Sequence, residues 1–280
     1  MQALLSDFFF FAKATAVGEQ QFIRRIALID GPLRDMQLLG FAALIIAGVS
    51  QRFVPLVYGL KRPQKDRQSL IFGLMNIALV LNVISYVAVL TTGNLAWGLG
   101  LEIAYVLMPV WAVLLAIQLG VFSKPTQPDR TFKFIRAACV WLIVANVMMT
   151  FFLVYGIATH QGFAHAYMGA HRHAFTVGFI SLMIMGVAAR VVPILAGVDA
   201  RKLSNLWGPF FLITLGCSGR VLLQIATDFF PKVAYPLVGF TGFIEVTGLA
   251  WWGIALWRVM NMASTERAKV LTGPFAILAR

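Results

Sequence analysis

The chain is 280 residues long, 60% of its residues are hydrophobic and 12% are charged, and its formal net charge is +12. A soluble domain carries about 25% charged residues, so this composition excludes a soluble globular protein and requires lipid to cover the apolar surplus. The basic residues fall in the short gaps between apolar runs and not along one stripe, which argues against nucleic-acid binding. The sequence has no nucleotide-binding loop and no nucleophile–base pair, which argues against hydrolysis and group transfer.

Seven apolar runs are long enough to cross a bilayer, whose hydrocarbon core of about 30 Å requires about 20 helical residues. They cover 37–59, 68–91, 97–121, 135–158, 172–197, 206–227 and 234–257. Backbone polar groups in lipid must be satisfied within their own segment, so each run is predicted to be a helix. The sequence therefore predicts an all-α, polytopic transmembrane bundle. The stretch 4–17 is shorter and carries Asp7 and Lys13, which favours an interfacial helix over an eighth, short span.

The cations of the gaps predict the orientation of the bundle, since cytoplasmic loops carry an excess of lysine and arginine. They follow the first, third, fifth and seventh runs: Lys61, Arg62, Lys65, Arg67, Lys124, Arg130, Lys133, Arg136, Arg201, Lys202, Arg258, Arg267 and Lys269. We expect these gaps and the C-terminus to face the cytoplasm of a bacterial inner membrane, with the gap before the fifth run on the periplasmic side. Arg24 and Arg25 do not fit this scheme.

Two of the runs resemble each other at a fixed numbering offset of 138, without gaps; this spacing is called the repeat offset below. Residues 34–55 and 172–193 share Arg34/Arg172, Gly40/Gly178, Phe41/Phe179, Leu44/Leu182, Gly48/Gly186, Val49/Val187, Arg52/Arg190, Val54/Val192 and Pro55/Pro193. The offset spans an even number of helices, four, so the two copies have the same topology and the repeat is parallel. Glycines eight apart lie close to one helix face, where they admit a neighbouring helix or a flat cofactor, and the proline is expected to end each helix.

These boundaries divide the chain into four parts. Residues 1–36 are the N-terminal interfacial segment, 37–158 the first repeat with four transmembrane helices, 159–258 the histidine loop and second repeat with three, and 259–280 a cytoplasmic tail. The two cysteines, Cys139 and Cys217, both lie within apolar runs and are expected to be packing residues.

All four histidines of the chain, His160, His165, His171 and His173, lie within fourteen residues before and at the start of the fifth run. A polar interfacial loop hydrogen-bonded to water would explain any single one of them. Ionisable groups at membrane depth are costly and usually functional, so four together favour a site. On a helix, His171 and His173 point about 200° apart, which suits two separate ligands better than one shared metal ion. Neutral imidazole is a common axial ligand of haem iron.

His171-Arg172-His173, followed by Gly186 and the sequence Val-Pro-Ile-Leu-Ala-Gly at 192–197, resembles the tenth transmembrane helix of the haem–copper oxidase catalytic subunit. The resemblance implies that His171 binds a high-spin haem and His173 a low-spin haem. His165 lies near the position of an oxidase histidine that contacts haem propionates and a magnesium ion.

Two further segments carry weaker resemblances. The first repeat copy, which ends in Phe-Val-Pro-Leu at 53–56, resembles the second helix of the oxidase subunit. Residues 173–190 also resemble the late helix of the NnrS family, membrane haem–copper proteins linked to nitric oxide stress. The histidine usual in that family at the far end of the helix is replaced here by Ala196-Gly197. Together these segments make up about a fifth of the chain.

The chain lacks several histidines of the oxidase pattern, and their absence limits which functions the resemblance can imply. An oxidase needs three more histidines for copper and one on its second helix for the low-spin haem, and this chain has none to supply them. The resemblance therefore implies a bundle with one or two haem b groups, copper being less favoured, for electron transfer or nitric oxide and small-gas handling. His173 could bind haem with His165, Met168, Tyr167 or a residue of another subunit, while His171 binds a second haem or lines the first. Whether the chain is an oxidoreductase subunit stays open.

Partners and alternatives follow from the same residues. The partners expected are the lipid bilayer, respiratory or cytochrome subunits and a quinone. The first alternative is a metal transporter or metallochaperone that captures metal with the outward histidines His160, His165, His171 and His173. The second alternative is a structural subunit of a respiratory complex. Glu102, Glu245 and Arg220 lie within the runs, and a Glu245–Arg220 pair is expected to lower the cost of burial.

Overall fold

The computed structural model describes residues 30–125, 129–161, 164–198 and 205–272, together with Gly18, Phe22 and Ile26, and describes side chains up to Met262. The interfacial helix predicted over 4–17 lies outside these residues. The continuous described ranges form eight helices, numbered in chain order: α1 (Asp30–Tyr58), α2 (Lys65–Thr92), α3 (Trp97–Gln118), α4 (Phe132–Thr150), α5 (Phe152–Ala158), α6 (His165–Leu195), α7 (Trp207–Ala226) and α8 (Pro231–Thr272).

All regular structure in the described ranges is helical. Every helix except α5 is long and apolar enough to cross a membrane, α8 over Pro231–Met262. The sequence prediction of an all-α protein with seven apolar helices of transmembrane length is confirmed. A lipid bilayer is therefore the environment that these helices require.

Several predicted boundaries differ from those in the structure. Helix α1 begins at Asp30 and not at residue 37. Helix α6 begins at His165 and not at residue 172, because the segment before residue 172 is amphipathic and hydropathy alone misses it. The predicted helix over 135–158 is split at Phe151 into α4 and α5. The chain stays helical to Thr272, so the first half of the predicted tail continues α8.

Helices α1 and α6 end at glycine and not at proline. Pro55 and Pro193 lie inside their helices, so the expectation that proline ends them was wrong. Gly59 and Gly197 follow with φ of 63° and 69°, a left-handed conformation that glycine adopts without steric cost. The next residue in each case donates its N–H to the proline carbonyl, at 2.8 Å and 2.9 Å. The two caps are separated by the repeat offset.

The two helices share further local geometry. Each contains an eight-residue π-helical stretch, Met36–Ala43 in α1 and Ala174–Ser181 in α6. Both bounds of these stretches also differ by the repeat offset. Such stretches are rare within helices and often lie at functional sites. Their coincidence in register is a feature that a shared amino-acid composition does not explain.

The packing partners of the two helices also recur at this offset. Gly31 of α1 packs against the ring of Tyr86 in α2, and Gly169 of α6 packs against the amide of Gln224 in α7. A Cβ at Gly31 would lie 2.8 Å from the Tyr86 hydroxyl, so a larger residue would push α1 and α2 apart. Within the pair α1–α2, and within the pair α6–α7, the two helices therefore contact each other at positions that match at the repeat offset.

The chain forms two compact units: unit 1 comprises Met1–Phe53 and Pro63–Gln118, and unit 2 comprises Val54–Arg62 and Leu119–Arg280. In unit 1, α2 packs along α3 around fully buried side chains such as Met75, Met108 and Trp111. In unit 2, α7 packs along α8, and α4 packs against α6.

The glycine face of α6 contacts α4. A Cβ at Gly178 would lie 2.6 Å from the Trp141 ring, and one at Gly186 would lie 2.7 Å from Ile135. These two repeat glycines therefore admit a neighbouring helix, the first of the two roles expected for them. Near the other end of α6, Arg190 forms an ion pair with Asp129 at 2.9 Å.

Candidate functional site

His171 and His173 lie inside α6 and not at its first turn. His171 and His173 are six and eight residues beyond His165, the first residue of the helix. At 1.5 Å per residue, this places them about 9 and 12 Å along the helix axis. The sequence prediction placed them at the very start of a span. The earlier helix start places both residues about two turns inside the helix.

His173 pairs with a carboxylate of α8. Its Nε2 lies 2.7 Å from Oε1 of Glu245, and the two side chains are only 19% and 13% exposed. Space for the glutamate comes from α7, where a Cβ at Gly216 would lie 2.6 Å from Cγ of Glu245. Three helices thus meet at this pair: α6 supplies the imidazole, α8 the carboxylate and α7 the glycine that lets them approach.

Arg220 lies one turn beyond Gly216 on α7 and belongs to the same region. Its Nη1 donates to the carbonyl oxygen of Val238 at 3.1 Å, and its Nε is buried without a hydrogen-bond partner. The pair expected between Arg220 and Glu245 is therefore replaced by the His173–Glu245 pair. The guanidinium instead caps a backbone carbonyl of α8 and adds positive charge on the α7 side.

His171 occupies another face of α6. It lies one turn after Tyr167, whose hydroxyl donates to the carbonyl oxygen of Met148 in α4 at 2.8 Å. His171 is 5% exposed, and its ring tilts against Phe175 one turn further on, with centroids 6.5 Å apart. Its Nδ1 is buried and has no hydrogen-bond partner. The structure therefore confirms that the two imidazoles point to different sides, as the His-x-His spacing predicts.

The other predicted residues lie further out. His160 is exposed in the turn after α5, at a φ of 55°, and His165 is exposed at the first turn of α6. Met168 is half-buried between His165 and the His-x-His pair. Among the described residues, no three side chains of histidine, cysteine, aspartate or glutamate come together in a set that could hold a metal ion. The histidines therefore do not assemble into one compact metal centre here.

Sequence analysis missed a polar contact at the histidine end of unit 2. The Tyr155 hydroxyl donates to Asp228 Oδ2 at 2.7 Å, and the Tyr155 ring stacks on Tyr167 with centroids 4.4 Å apart. Desolvation on burial, and then the hydrogen bond to Asp228, raise the pKa of Tyr155. An aspartate directly after an apolar run was the signal that could have indicated it. These residues link α5 and the α7–α8 turn to the helix that carries the histidines.

The arrangement combines two chemical abilities. The His173 Nε2 and Glu245 Oε1 atoms are close enough to share a proton. The Nδ1 of His171 is buried without a hydrogen-bond partner, and imidazole nitrogens are common metal ligands. Comparisons with models of known protein families, with curated proteins and with solved structures found no match for this chain. The functional argument therefore depends on these residues.

Proposed function

We propose that this chain is an integral membrane protein that binds haem b in unit 2, for electron transfer or for handling nitric oxide or another small gas. The observation that carries the proposal is the imidazole of His171, which is 5% exposed and has a buried Nδ1 without a partner. An unsatisfied buried polar atom costs about 1–3 kcal/mol. Coordination of a metal by this nitrogen would remove that cost, and histidine is the axial haem ligand in globins and peroxidases.

The residues fit one haem better than two. The His173 Nε2 is held by Glu245, so ligation through this nitrogen requires the carboxylate to move away. His171 is thus the first candidate ligand. His165 and Met168 remain candidates for contact with the same group, because α6 places them on the turns before His171. When bound, haem would supply one-electron chemistry and, if one axial position is open, a site for a small gas.

The His173–Glu245 pair is proposed to hold a proton beside this site. A carboxylate and an imidazole in contact at low dielectric interact far more strongly than in water. Uptake of a proton by this pair from solvent, or its release to solvent, would compensate a change of charge nearby. Arg220, which donates to the Val238 carbonyl, would stabilise negative charge in this region.

No copper centre of the oxidase type belongs to this proposal. All four histidines lie between residues 160 and 173, and the resemblance requires three further histidines for copper. Oxygen reduction at a haem–copper pair is therefore not part of the proposed function. An electron carrier or a gas-binding subunit needs no such pair, and a respiratory or cytochrome subunit or a quinone would serve as its partner.

An absorbance spectrum of the protein purified from haem-replete cells tests the proposal. We expect a Soret band that shifts on reduction and is strongly diminished by His171→Ala. His160→Ala is the matched control, since this exposed histidine in the turn after α5 is not proposed to contact the haem and should leave the band unchanged. A colourless preparation, or equal bands in the wild type and the His171→Ala variant, would refute haem binding at His171. Copper or zinc without a Soret band would support the metal-transport alternative instead.

We further propose that α1–α3 and α6–α8 are parallel repeats and that the histidine end faces the periplasm of a bacterial inner membrane. The repeat is supported by the π-helical stretches, glycine caps and helix pairs that match at the repeat offset. The orientation is supported by exposed cations in the α1–α2 turn and in the first turn of α2: Lys61, Arg62, Lys65 and Arg67. It places the C-terminus in the cytoplasm.

A further inference from the structure

Helix α1 has one exposed face along its second half. Phe41 is 62% exposed and Ile45 is 50% exposed. Gly48 and Arg52 are also exposed, and they follow at spacings of three and four residues, which keep all four residues on one side of a helix. Nothing lies within 4 Å of a Cβ at Gly48. These four residues are called the open face of α1 below.

The equivalent face of α6 is buried. The residues that correspond to the open face at the repeat offset are Phe179, Met183, Gly186 and Arg190. Phe179 is 0% exposed, Met183 is 3% exposed and Gly186 is buried. The two helices share a π-helical stretch and a glycine cap at matching positions. The difference in exposure therefore lies in what covers each helix.

Helix α4 and the residues just before it contact this face of α6. A Cβ at Gly186 would lie 2.7 Å from Ile135 of α4, and Arg190 pairs with Asp129, three residues before α4 begins, at 2.9 Å. Residue numbers rise along α6 between these two contacts and fall along α4, so the helices run antiparallel. The covering segment thus supplies a bulky apolar side chain at the glycine and a carboxylate at the arginine, six residues apart in sequence.

The open face of α1 has the same glycine and arginine but neither partner. In the described part of the chain, no ion pair includes Arg52, and the space beside Gly48 is empty of protein. Small residues let membrane helices approach closely, and an exposed cation attracts a carboxylate. Two copies of this chain related by a two-fold axis through the face would instead bring their Arg52 side chains together, and like charges repel. The face therefore fits a helix of different sequence.

We propose that the open face of α1 binds a transmembrane helix of a partner subunit, in the way that α4 covers α6. The partner helix runs antiparallel to α1 and places a bulky aliphatic or aromatic side chain on Gly48. It carries an aspartate or glutamate opposite Arg52, six residues before that side chain, as Asp129 precedes Ile135. The inference uses the proposed repeat and does not depend on haem binding in unit 2.

A peptide of residues 127–151, which contains Asp129 and α4, is a probe with the required chemistry. Its N-terminus carries a fluorescent donor, and the full-length Arg62→Cys variant carries an acceptor in the turn after α1, both in phosphatidylcholine vesicles. We expect saturable energy transfer. Gly48→Leu should weaken the apparent affinity by about tenfold or more. Gly73→Leu is the matched control and should leave it unchanged, because Gly73 of α2 also has nothing within 4 Å of a Cβ but lies outside the open face.

A charge exchange tests the contact at Arg52. Arg52→Glu should weaken binding of the peptide, and a peptide with Asp129→Lys should bind the Arg52→Glu variant better than it binds the wild type. Both substituted side chains are on the exposed face, so the thermal unfolding midpoints of Gly48→Leu and Arg52→Glu should stay close to that of the wild type. No saturable transfer, equal effects of Gly48→Leu and Gly73→Leu, or failure of the charge exchange would each overturn the proposal.

Cross-linking in native membranes identifies the occupant of the face. A carbodiimide joins an amine to a carboxylate in direct contact, so the Arg52→Lys variant should give a discrete adduct that the wild type does not give. Gly48→Leu in the same chain should strongly reduce it. Mass spectrometry should place the joined carboxylate at the end of a transmembrane helix of another protein, six residues before a bulky apolar side chain. An adduct with a second copy of this chain, an adduct with lipid only, or no adduct would overturn the proposal.

Discussion

The His173–Glu245 pair permits a quantitative test of the packing in unit 2. A hydrogen bond to a charged group contributes about 1.5–3 kcal/mol in soluble proteins. Polar pairs between membrane helices average about 0.6 kcal/mol and reach about 1.7 kcal/mol. The pair is 19% and 13% exposed, so water screens it only in part, and we expect a coupling energy of about 1–2 kcal/mol.

The assay is a double-mutant cycle of His173→Ala and Glu245→Ala, measured by reversible unfolding in mixed micelles. Each single variant should lose about 2 kcal/mol or more, since the remaining partner is left unpaired. The double variant should be more stable than the sum of the single effects predicts. Glu245→Gln should cost less than Glu245→Ala, because the amide fills the space beside Gly216 and can still hydrogen-bond to His173.

Thr247→Ala is the control for this cycle. Thr247 lies two residues from Glu245 on α8, is exposed and donates to the Phe243 carbonyl of its own helix at 2.7 Å. Its replacement should change stability by no more than about 0.5 kcal/mol. Additive effects in the cycle, with a coupling energy below about 0.3 kcal/mol, would refute the conclusion that the two side chains interact as the structure describes.

Two further predictions concern packing and orientation. Gly178→Ala should destabilise the protein by about 1–3 kcal/mol, because its Cβ would clash with Trp141. Gly73→Ala in α2 is the control, and it should be neutral or stabilising because nothing lies within 4 Å of a Cβ there. Thermal unfolding compares the two variants, and equal effects would contradict the packing of Gly178 against Trp141. Cys139 and Cys217 are buried, so a membrane-impermeant maleimide added to spheroplasts should label Leu95→Cys, exposed between α2 and α3, and not Arg62→Cys. Reversed labelling would invert the proposed orientation.

The number and type of the helices could be read from sequence because lipid leaves the backbone few choices. The positions of the helix ends were predicted less accurately than the number of helices. The first two turns of α6 carry His165, Met168 and His171 and are too polar for a hydropathy run, so the helix was expected to begin at residue 172. Pro55 was expected to end α1, but a proline costs little in the last turn, and the chain turns at Gly59 instead.

The sequence indicated where along the chain the candidate site lies, but it did not predict which side chains of different helices come into contact there. The His-x-His spacing gave the two opposed imidazole directions, which depend only on helix geometry. The partner of Glu245 depends on how α6, α7 and α8 rotate against one another, and no spacing within one helix contains that information. For the same reason the contact between Asp35 and Asn82, 47 residues apart, was not foreseen.

The two copies of the proposed repeat share backbone features but differ in the side chains at some equivalent positions. The π-helical stretches, the capping glycines and the close helix pairs recur at the repeat offset. These features fix where helices run and how closely they approach. Some polar side chains differ at equivalent positions: Asp35 corresponds to His173, and Asn82 corresponds to Arg220.

This division explains why equivalent positions of the two units differ in chemistry. In unit 2, the imidazole of His173 lies on the carboxylate of Glu245. In unit 1, the residue at the position of His173 is itself a carboxylate, Asp35, which accepts a hydrogen bond from Asn82. Asp35→His alone should therefore not reproduce the His173–Glu245 pair, because the side chains of the neighbouring helices determine what the same backbone position can contact.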